Sequence, residues 1–348
     1  MKTYKNLFNK ICSFENLLLA YQKARKCKRY RDYVLEFSYG LEKNLLELQK
    51  ELLTQTYKHG AYREFAVCDS KRRQIRAAPF RDRIIHHALC DVIESIFDKG
   101  FIYDSYACRK EKGTHKAVER LQKFLKSISD HREAIKVPKI YCLKCDISKY
   151  FESINHQILF GLIQEKIADQ KVLWLIKLII ESNNKEIGKG IPIGNLTSQL
   201  FANIYLDVLD QFLKHQLQTS YYLRYMDDFL IIDFDKRCLR WIRDKIREFL
   251  RKRLGLELHP KKADIFPTDK GIDFLGYQNF RDYRLLRKST VKRFIKRTKF
   301  YQKRLINGLM TQEKFDNSLQ SWLAYADWGN SWHLRKKLSE KLKLKLIK

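Results

Sequence analysis

The chain has 348 residues, 45% of them hydrophobic, enough for two or three packed units and too apolar for a disordered tail. Lys plus Arg number 70 against 40 Asp plus Glu, a formal charge of +30 that repels itself in the compact state and demands a polyanion, nucleic acid first and an anionic membrane surface second. No apolar run approaches the roughly 20 residues that span a bilayer, and the first twenty residues lack the apolar core and cleavage site of a signal peptide. A cytoplasmic protein without a membrane partner is therefore expected, and its eight scattered cysteines are expected to be free thiols.

In chain order, "FENLLLAYQKARK" and "LEKNLLELQKELL" carry apolar residues at helical spacing. "YREFAVCDSKRRQIRAAPF" reads as two short strands joined by a basic turn at Asp69-Ser70-Lys71-Arg72 and ended by Pro79. Helices follow in "RDRIIHHALCDVIESIFDKGF" and "GTHKAVERLQKFLKSI", the second with Thr114 as N-cap. "KIYCLKCDI" is a strand, so Cys142 and Cys145 point to opposite faces and make no zinc pair. "ISKYF" leads tightly into a helix. "GIPIGNLTSQLFANIYLDVLDQFLKHQL" opens as a Gly/Pro loop and becomes a long helix. "YYLRYMDDFLIID" is strand, turn, strand; "LRWIRDKIREFLRKRLGLEL" is an amphipathic helix ended near Gly255; "GIDFLGYQNF" is a short strand pair.

From Arg281 the composition shifts to 19 Lys/Arg against five Asp/Glu. In "STVKRFIKRTKFYQKRL" Val291, Phe294 and Ile295 face inward, leaving Lys292, Arg293 and Lys296 on a basic outer face. Phe300, Tyr301, Trp322, Tyr325, Trp328 and Trp332 interleave with these charges, a pattern that suits stacking on bases or sugars.

Asp146 and the pair Asp227-Asp228 each stand at the end of an apolar strand. As neighbours in one sheet, their carboxylates would repel by roughly 4 kcal/mol per pair at 4 Å in an intermediate dielectric. Nothing basic sits on the "MDDF" turn to relieve this; magnesium would, and two such ions can activate a 3′-hydroxyl and stabilise a leaving pyrophosphate. Imidazole is a poor ligand for so hard an ion, so His86 and His87 are expected to pack rather than ligate.

Tyr225-Met-Asp-Asp228 resembles the YxDD box of reverse transcriptases. "KCDISKYF" resembles the metal motif that precedes it, "KRRQIRAAPFRDRIIHHAL" and "YACRKEKGTHKAVERL" the first two finger motifs, and "GIPIGNLTSQLFANIYLDVLD" the template- and nucleotide-contacting motif. "LGLELHPKKADIF" and "GIDFLGY" resemble the last two palm motifs, the second being the primer grip. The ordered set implies an α+β right-hand polymerase: a helical N-terminal extension over 1–60, fingers and palm with an antiparallel sheet over 61–280, and a basic helical thumb over 281–348.

The resemblance implies that Asp146 and Asp227 hold two magnesium ions, with manganese able to substitute. Asp228 supports them and the carbonyl of Ile147 completes a shell. Phe151 falls at the steric gate against a ribose 2′-hydroxyl. Lys71 and Arg73 grip the triphosphate, with Arg72 and Arg76 as alternatives, and Lys262 is the basic residue of the sixth motif, with Lys261 its rival. Tyr225, Met226, Phe274, Leu275 and Gly276, with Lys292, Arg293 and Lys296, contact template and primer.

One departure is "IPIGNLTSQ". Reverse transcriptases of group II introns and retroviruses commonly have Gln-Gly where Ile193-Gly194 stands, and Ser-Pro where Ser198-Gln199 stands. The form here resembles reverse transcriptases of diversity-generating retroelements, as do "HHALC", "YACRKEKGTH", "LLRKSTVKR" and "SWLAYADWGNSWHLR". In that family the enzyme copies a template RNA into cDNA and misincorporates opposite template adenines. It works with a small basic accessory protein and a structured non-coding RNA, and it is bacterial or phage-encoded. Ile193 cannot donate the hydrogen bond with which Gln would fix the nucleotide's pose. Two alternatives stay open: an anti-phage defence or retron-like enzyme with its own non-coding RNA, and an RNA-binding scaffold with a vestigial palm.

Overall fold

The structure is a computed structural model describing residues 3–68, 72–130, 139–183 and 186–344. Helical apolar spacing at the N-terminus gives α1 (Phe8–Cys12), α2 (Phe14–Ala24), α3 (Asp32–Tyr39) and α4 (Leu41–Leu53). Ser13 caps α2 by accepting from Asn16 N. Leu17, Ala20, Tyr21 and Ala24 of α2 face inward and pack on α5 (Phe80–Asp98). The segment from Phe8 to Tyr57 thus shares one continuous apolar core with the centre of the molecule. Between them, β1 (Arg63–Cys68) and β2 (Arg72–Ala77) form an antiparallel hairpin; the turn residues 69–71 lie outside the described residues. In α6 (Thr114–Asp130), Thr114 is the first helical residue and not the cap, and its hydroxyl lies 3.2 Å from the Tyr225 hydroxyl.

β3 (Tyr141–Ile147), β4 (Tyr222–Tyr225), β5 (Asp228–Asp233) and β6 (Leu258–Pro267) make an antiparallel sheet in the order β4-β5-β3-β6. Strand side chains alternate between faces, and here both faces are buried. Leu143, Cys145, Ile147, Phe229 and Ile231 enter the larger core. Besides α1 to α5, its helices are α7 (Tyr150–Ser153), α8 (His156–Gln164), α9 (Gln170–Glu181), α10 (Leu196–Gln211) and α11 (Lys236–Phe249). Short π-helical turns extend α10 to Gln216 and α11 to Leu254. Asp169 caps α9, and its other carboxylate oxygen accepts from Leu7 N and Phe8 N at 2.8 and 3.0 Å, tying the N-terminal segment down.

The opposite face, with Cys142, Leu230 and Ile232, enters a second core built with α6 and the C-terminal part of the chain. That part comprises the sheet β7 (Ile272–Phe274), β8 (Tyr277–Asn279) and β9 (Arg284–Leu286), then α12 (Lys288–Ile306), α13 (Gln312–Ala326) and α14 (Trp332–Leu342). Phe294 and Trp322 stack at 3.7 Å between centroids, so Trp322 is core and not a base-stacking platform; such a pair contributes roughly 0.5–1.5 kcal/mol beyond its buried area. Cys142 and Cys145 are buried in different cores, and burial pushes both thiols well up from their ordinary range. Among the described residues no helix is long and apolar enough to cross a membrane.

Candidate active site

Strand register sets the carboxylates. Asp146 on β3 is the cross-strand partner of Asp228 on β5, and Tyr225 pairs with Asp228, leaving Met226 and Asp227 as a two-residue turn. Met226 has φ 57°, a strained value for a non-glycine residue, costing of order 1–3 kcal/mol. On the other side, Cys145 pairs with Ala263 but Ile147 with Leu258, so Asp146 stands opposite an arch of residues 259–262. Irregular register of this kind re-aims side chains beside active sites. Here it delivers the Lys262 ammonium to Asp146 Oδ2 at 2.5 Å. Lys261, its sequence rival, is exposed.

The expectation that nothing basic relieves these carboxylates holds for the turn but not for its neighbours. Lys144 lies two residues before Asp146 on the same strand face. Its ammonium donates to the Asp273 carbonyl at 2.5 Å and sits 3.6 Å from Asp228 Oδ2. Burial pushes the Asp228 carboxyl up to about 6; Lys144 opposes that rise, and the Asp146 and Asp227 charges add to it. Asp227 is raised too, by burial first and then by Asp146, against Lys262 and Arg73. Asp228 Oδ1 is buried with no hydrogen-bond partner among the described residues.

The segment that follows β3 is tied by main-chain bonds to the loop before α10 and to β2. Phe151 is half-buried at the start of α7, and its carbonyl accepts from Ile191 N at 2.8 Å. The loop continues to Ile193, whose carbonyl accepts from Arg76 N of β2 at 3.0 Å. Gly194 has φ 123°, and a Cβ there would lie 3.0 Å from Ile75 Cγ2, so the loop closes against β2 only with glycine. Arg73 on β2 is near enough for its charge to act on Asp227. Arg76, an alternative phosphate ligand, is engaged by Glu64, Asn183 and the Tyr62 ring. Lys71 lies outside the described residues.

Residues 56–279 match the family model described as "Reverse transcriptase (RNA-dependent DNA polymerase)", well over half of the chain. The chain belongs to the reverse transcriptase family. It is 26% identical to "Protein YkfC" of Escherichia coli over 67% of this chain and 70% of that protein. It is also 26% identical to "Group II intron-encoded protein LtrA" of Lactococcus lactis, over 68% of this chain but only 48% of that protein. Among solved structures, an apo telomerase from Candida tropicalis aligns at TM-score 0.49 and 15% identity, over 69% of this chain and 58% of that one. The architecture is that of a right-hand polymerase, and β3 to β6 are its palm sheet.

Reverse transcriptases generally use divalent ions and act on template RNA. The donors of this reverse transcriptase suit a hard cation, being carboxylate oxygens with one buried and unpartnered. As arranged, though, no three His, Cys, Asp or Glu side chains among the described residues are gathered closely enough to hold an ion. The backbone brings Asp146 and Asp228 opposite one another, while the two lysine ammoniums draw their carboxylates.

The β7–β8 turn carries Phe274, Leu275 and Gly276, the residues that resemble a primer grip. Leu275 and Gly276 both have positive φ, and Phe274 is fully buried. A Cβ on Gly276 would strike the Tyr325 hydroxyl, which donates to the Gly276 carbonyl at 2.8 Å. Leu275, Gly276, Arg293 and Lys296 line a cavity of about 680 Å³ between this turn, α12 and α13. Lys292, Arg293 and Lys296 are exposed. His86 is buried, its Nδ1 2.8 Å from the Thr197 hydroxyl and its Nε2 3.2 Å from His59 Nε2.

Proposed function

We propose that the chain copies a template RNA into cDNA by two-metal nucleotidyl transfer in a diversity-generating retroelement, with errors concentrated opposite template adenines. The observation that carries the chemistry is the pairing of Asp146 with Asp228 across β3 and β5, with Asp227 on the turn beside them. Asp146 and Asp227, with Asp228 and the Ile147 carbonyl, would hold magnesium, or manganese in its place. Bound there, the ions would supply charge stabilisation for the attacking and leaving oxygens. Lys262 is within reach of Asp146 and Lys144 of Asp228, so each would give up part of its contact when the cation arrives.

Other parts follow from position. Phe151 would exclude a 2′-hydroxyl, Arg73 would meet the triphosphate, and Leu275 and Gly276 would place the primer end. Tyr225 and Met226, with the α12 cations, would contact template and primer. A structured non-coding RNA and a small basic accessory protein are the partners this reading implies; the charge of +30 suits the RNA.

Errors at adenine are attributed to Ile193. Its backbone is fixed on β2 and its side chain is half-buried, so the nucleotide meets an apolar surface with no donor where Gln would offer one. The test is Ile193→Gln with sequencing of the cDNA. Fewer substitutions opposite adenine support the reading; an unchanged spectrum contradicts it.

A further inference from the structure

Arg224, immediately before Tyr225, heads the largest fully buried side chains of the molecule. A charge so buried must be paired and hydrogen-bonded throughout. Its Nε donates to Asp210 Oδ1 and Oδ2 at 2.7 and 2.9 Å. Nη2 donates to Asp210 Oδ2 at 2.6 Å and to Ser105 Oγ at 3.1 Å. Nη1 donates to Asn203 Oδ1 at 3.2 Å and to the Met226 carbonyl at 3.3 Å. Asp210, equally buried, also accepts from the Tyr222 hydroxyl at 2.5 Å. The guanidinium therefore joins α10, β4 and the 102–107 loop to the turn that carries Asp227. The Arg224 backbone is held as well, donating to the Asp104 carbonyl at 2.9 Å and accepting from Tyr106 N at 3.0 Å.

The contact to Met226 matters because of where that carbonyl lies. It belongs to the peptide between Met226 and Asp227, and Met226 is in the strained positive-φ region. Strain persists where surroundings over-determine a conformation. Rotation of this peptide would swing the Asp227 carboxylate away from Asp146, and the Nη1–H holds it. We propose that Arg224, itself oriented by Asp210, is a positioning residue that fixes the Met226–Asp227 peptide and so aims the Asp227 carboxylate. The inference rests on the reading of Asp227 as a metal-holding residue.

Arg and Lys are not equivalent here, since a lysine ammonium can keep the charge pair but lacks the planar fork that reaches Asp210 and Met226 together. The test uses the full-length protein with primed RNA template. Arg224→Lys and the double variant Arg224→Met/Asp210→Leu are compared with Asp227→Asn. Replacing a buried pair by apolar residues of similar volume often leaves the fold intact. Thermal unfolding, kcat, KM for dNTP and primer–template, and manganese binding by electron paramagnetic resonance are measured.

Both Arg224 variants are expected to fold and to keep KM for primer–template. Their kcat should fall by on the order of 10 to 10², the cost of a misplaced reacting group, and manganese binding should weaken in parallel. Normal kcat and manganese affinity in folded variants would overturn the proposal. Failure of both variants to fold would overturn it too, since the pair would then be a determinant of the fold. If Asp227→Asn itself retained activity and manganese binding, the reading of Asp227 would fall instead.

Discussion

Arg76 N–H donates to the carbonyl of Ile193 at 3.0 Å, which fastens the loop before α10 to the β1–β2 hairpin. Two residues earlier, Ile191 N donates to the Phe151 carbonyl at 2.8 Å. Phe151 and Ile193 thus stand on two segments tied together by main-chain bonds, and each side chain can be replaced without removing them.

Ile193→Gln should lower misincorporation opposite template adenine. A hydrogen bond is worth about 1 kcal/mol net, which corresponds to a roughly fivefold fall. Errors opposite the other template bases should change less. Deep sequencing of cDNA from one defined RNA checks both.

Phe151→Val should admit ribonucleotides. An apolar pocket rejects an added hydroxyl by roughly 10²-fold at most, so ribonucleotide use should rise tenfold to hundredfold. Single-nucleotide kinetics with matched dNTP and rNTP measure it; an unchanged ratio means the ring is only packing.

Replacing Lys292, Arg293 and Lys296 together by Gln should weaken primer–template binding without favouring any sequence. The slope of log affinity against log salt should shrink by roughly two to three, close to one per lost phosphate contact. Binding titrations between 50 and 200 mM salt, a range chosen for the size of the effect, show it. An unchanged slope would place the duplex elsewhere.

His86 carries a pH prediction. Burial pushes its imidazole down to about 3, with the His59 charge adding to the effect. Below the unfolded value near 6.5 the unfolded chain binds a proton that the folded chain refuses. Stability is therefore complete above that value and is lost as pH falls toward about 3. The loss should reach a few kcal/mol. His86→Gln should flatten the fall in Tm between pH 6.5 and 4; parallel curves for both proteins would contradict the assignment.

Much of the fold and of the site could be read in the sequence, because it rests on local periodicity. Alternation in "KIYCLKCDI" sends Cys142 and Cys145 into separate cores, and the apolar runs around Asp227 and Asp228 give the hairpin. Lys144 could have been found the same way, since it shares the face of Asp146 two residues on. Lys262 meets Asp146 only through the arch of residues 259–262, a feature of register that no spacing reveals. Trp322 looked like a stacking surface because its partner Phe294 lies on another helix. Arg224 is a charge within an apolar strand that the sequence motifs do not single out, and its partner Asp210 on α10 is identified only by the folded ion pair.

The most direct test is primer extension on a defined RNA by the purified protein, with the non-coding RNA and accessory protein that the proposed function implies added. Magnesium is supplied with either dNTPs or rNTPs, Asp146→Asn runs as control, and the products are sequenced. The account predicts DNA product from dNTPs alone, none from Asp146→Asn, and substitutions gathered opposite template adenines. Absence of dNTP incorporation by the unaltered protein, or full synthesis by Asp146→Asn, would contradict it.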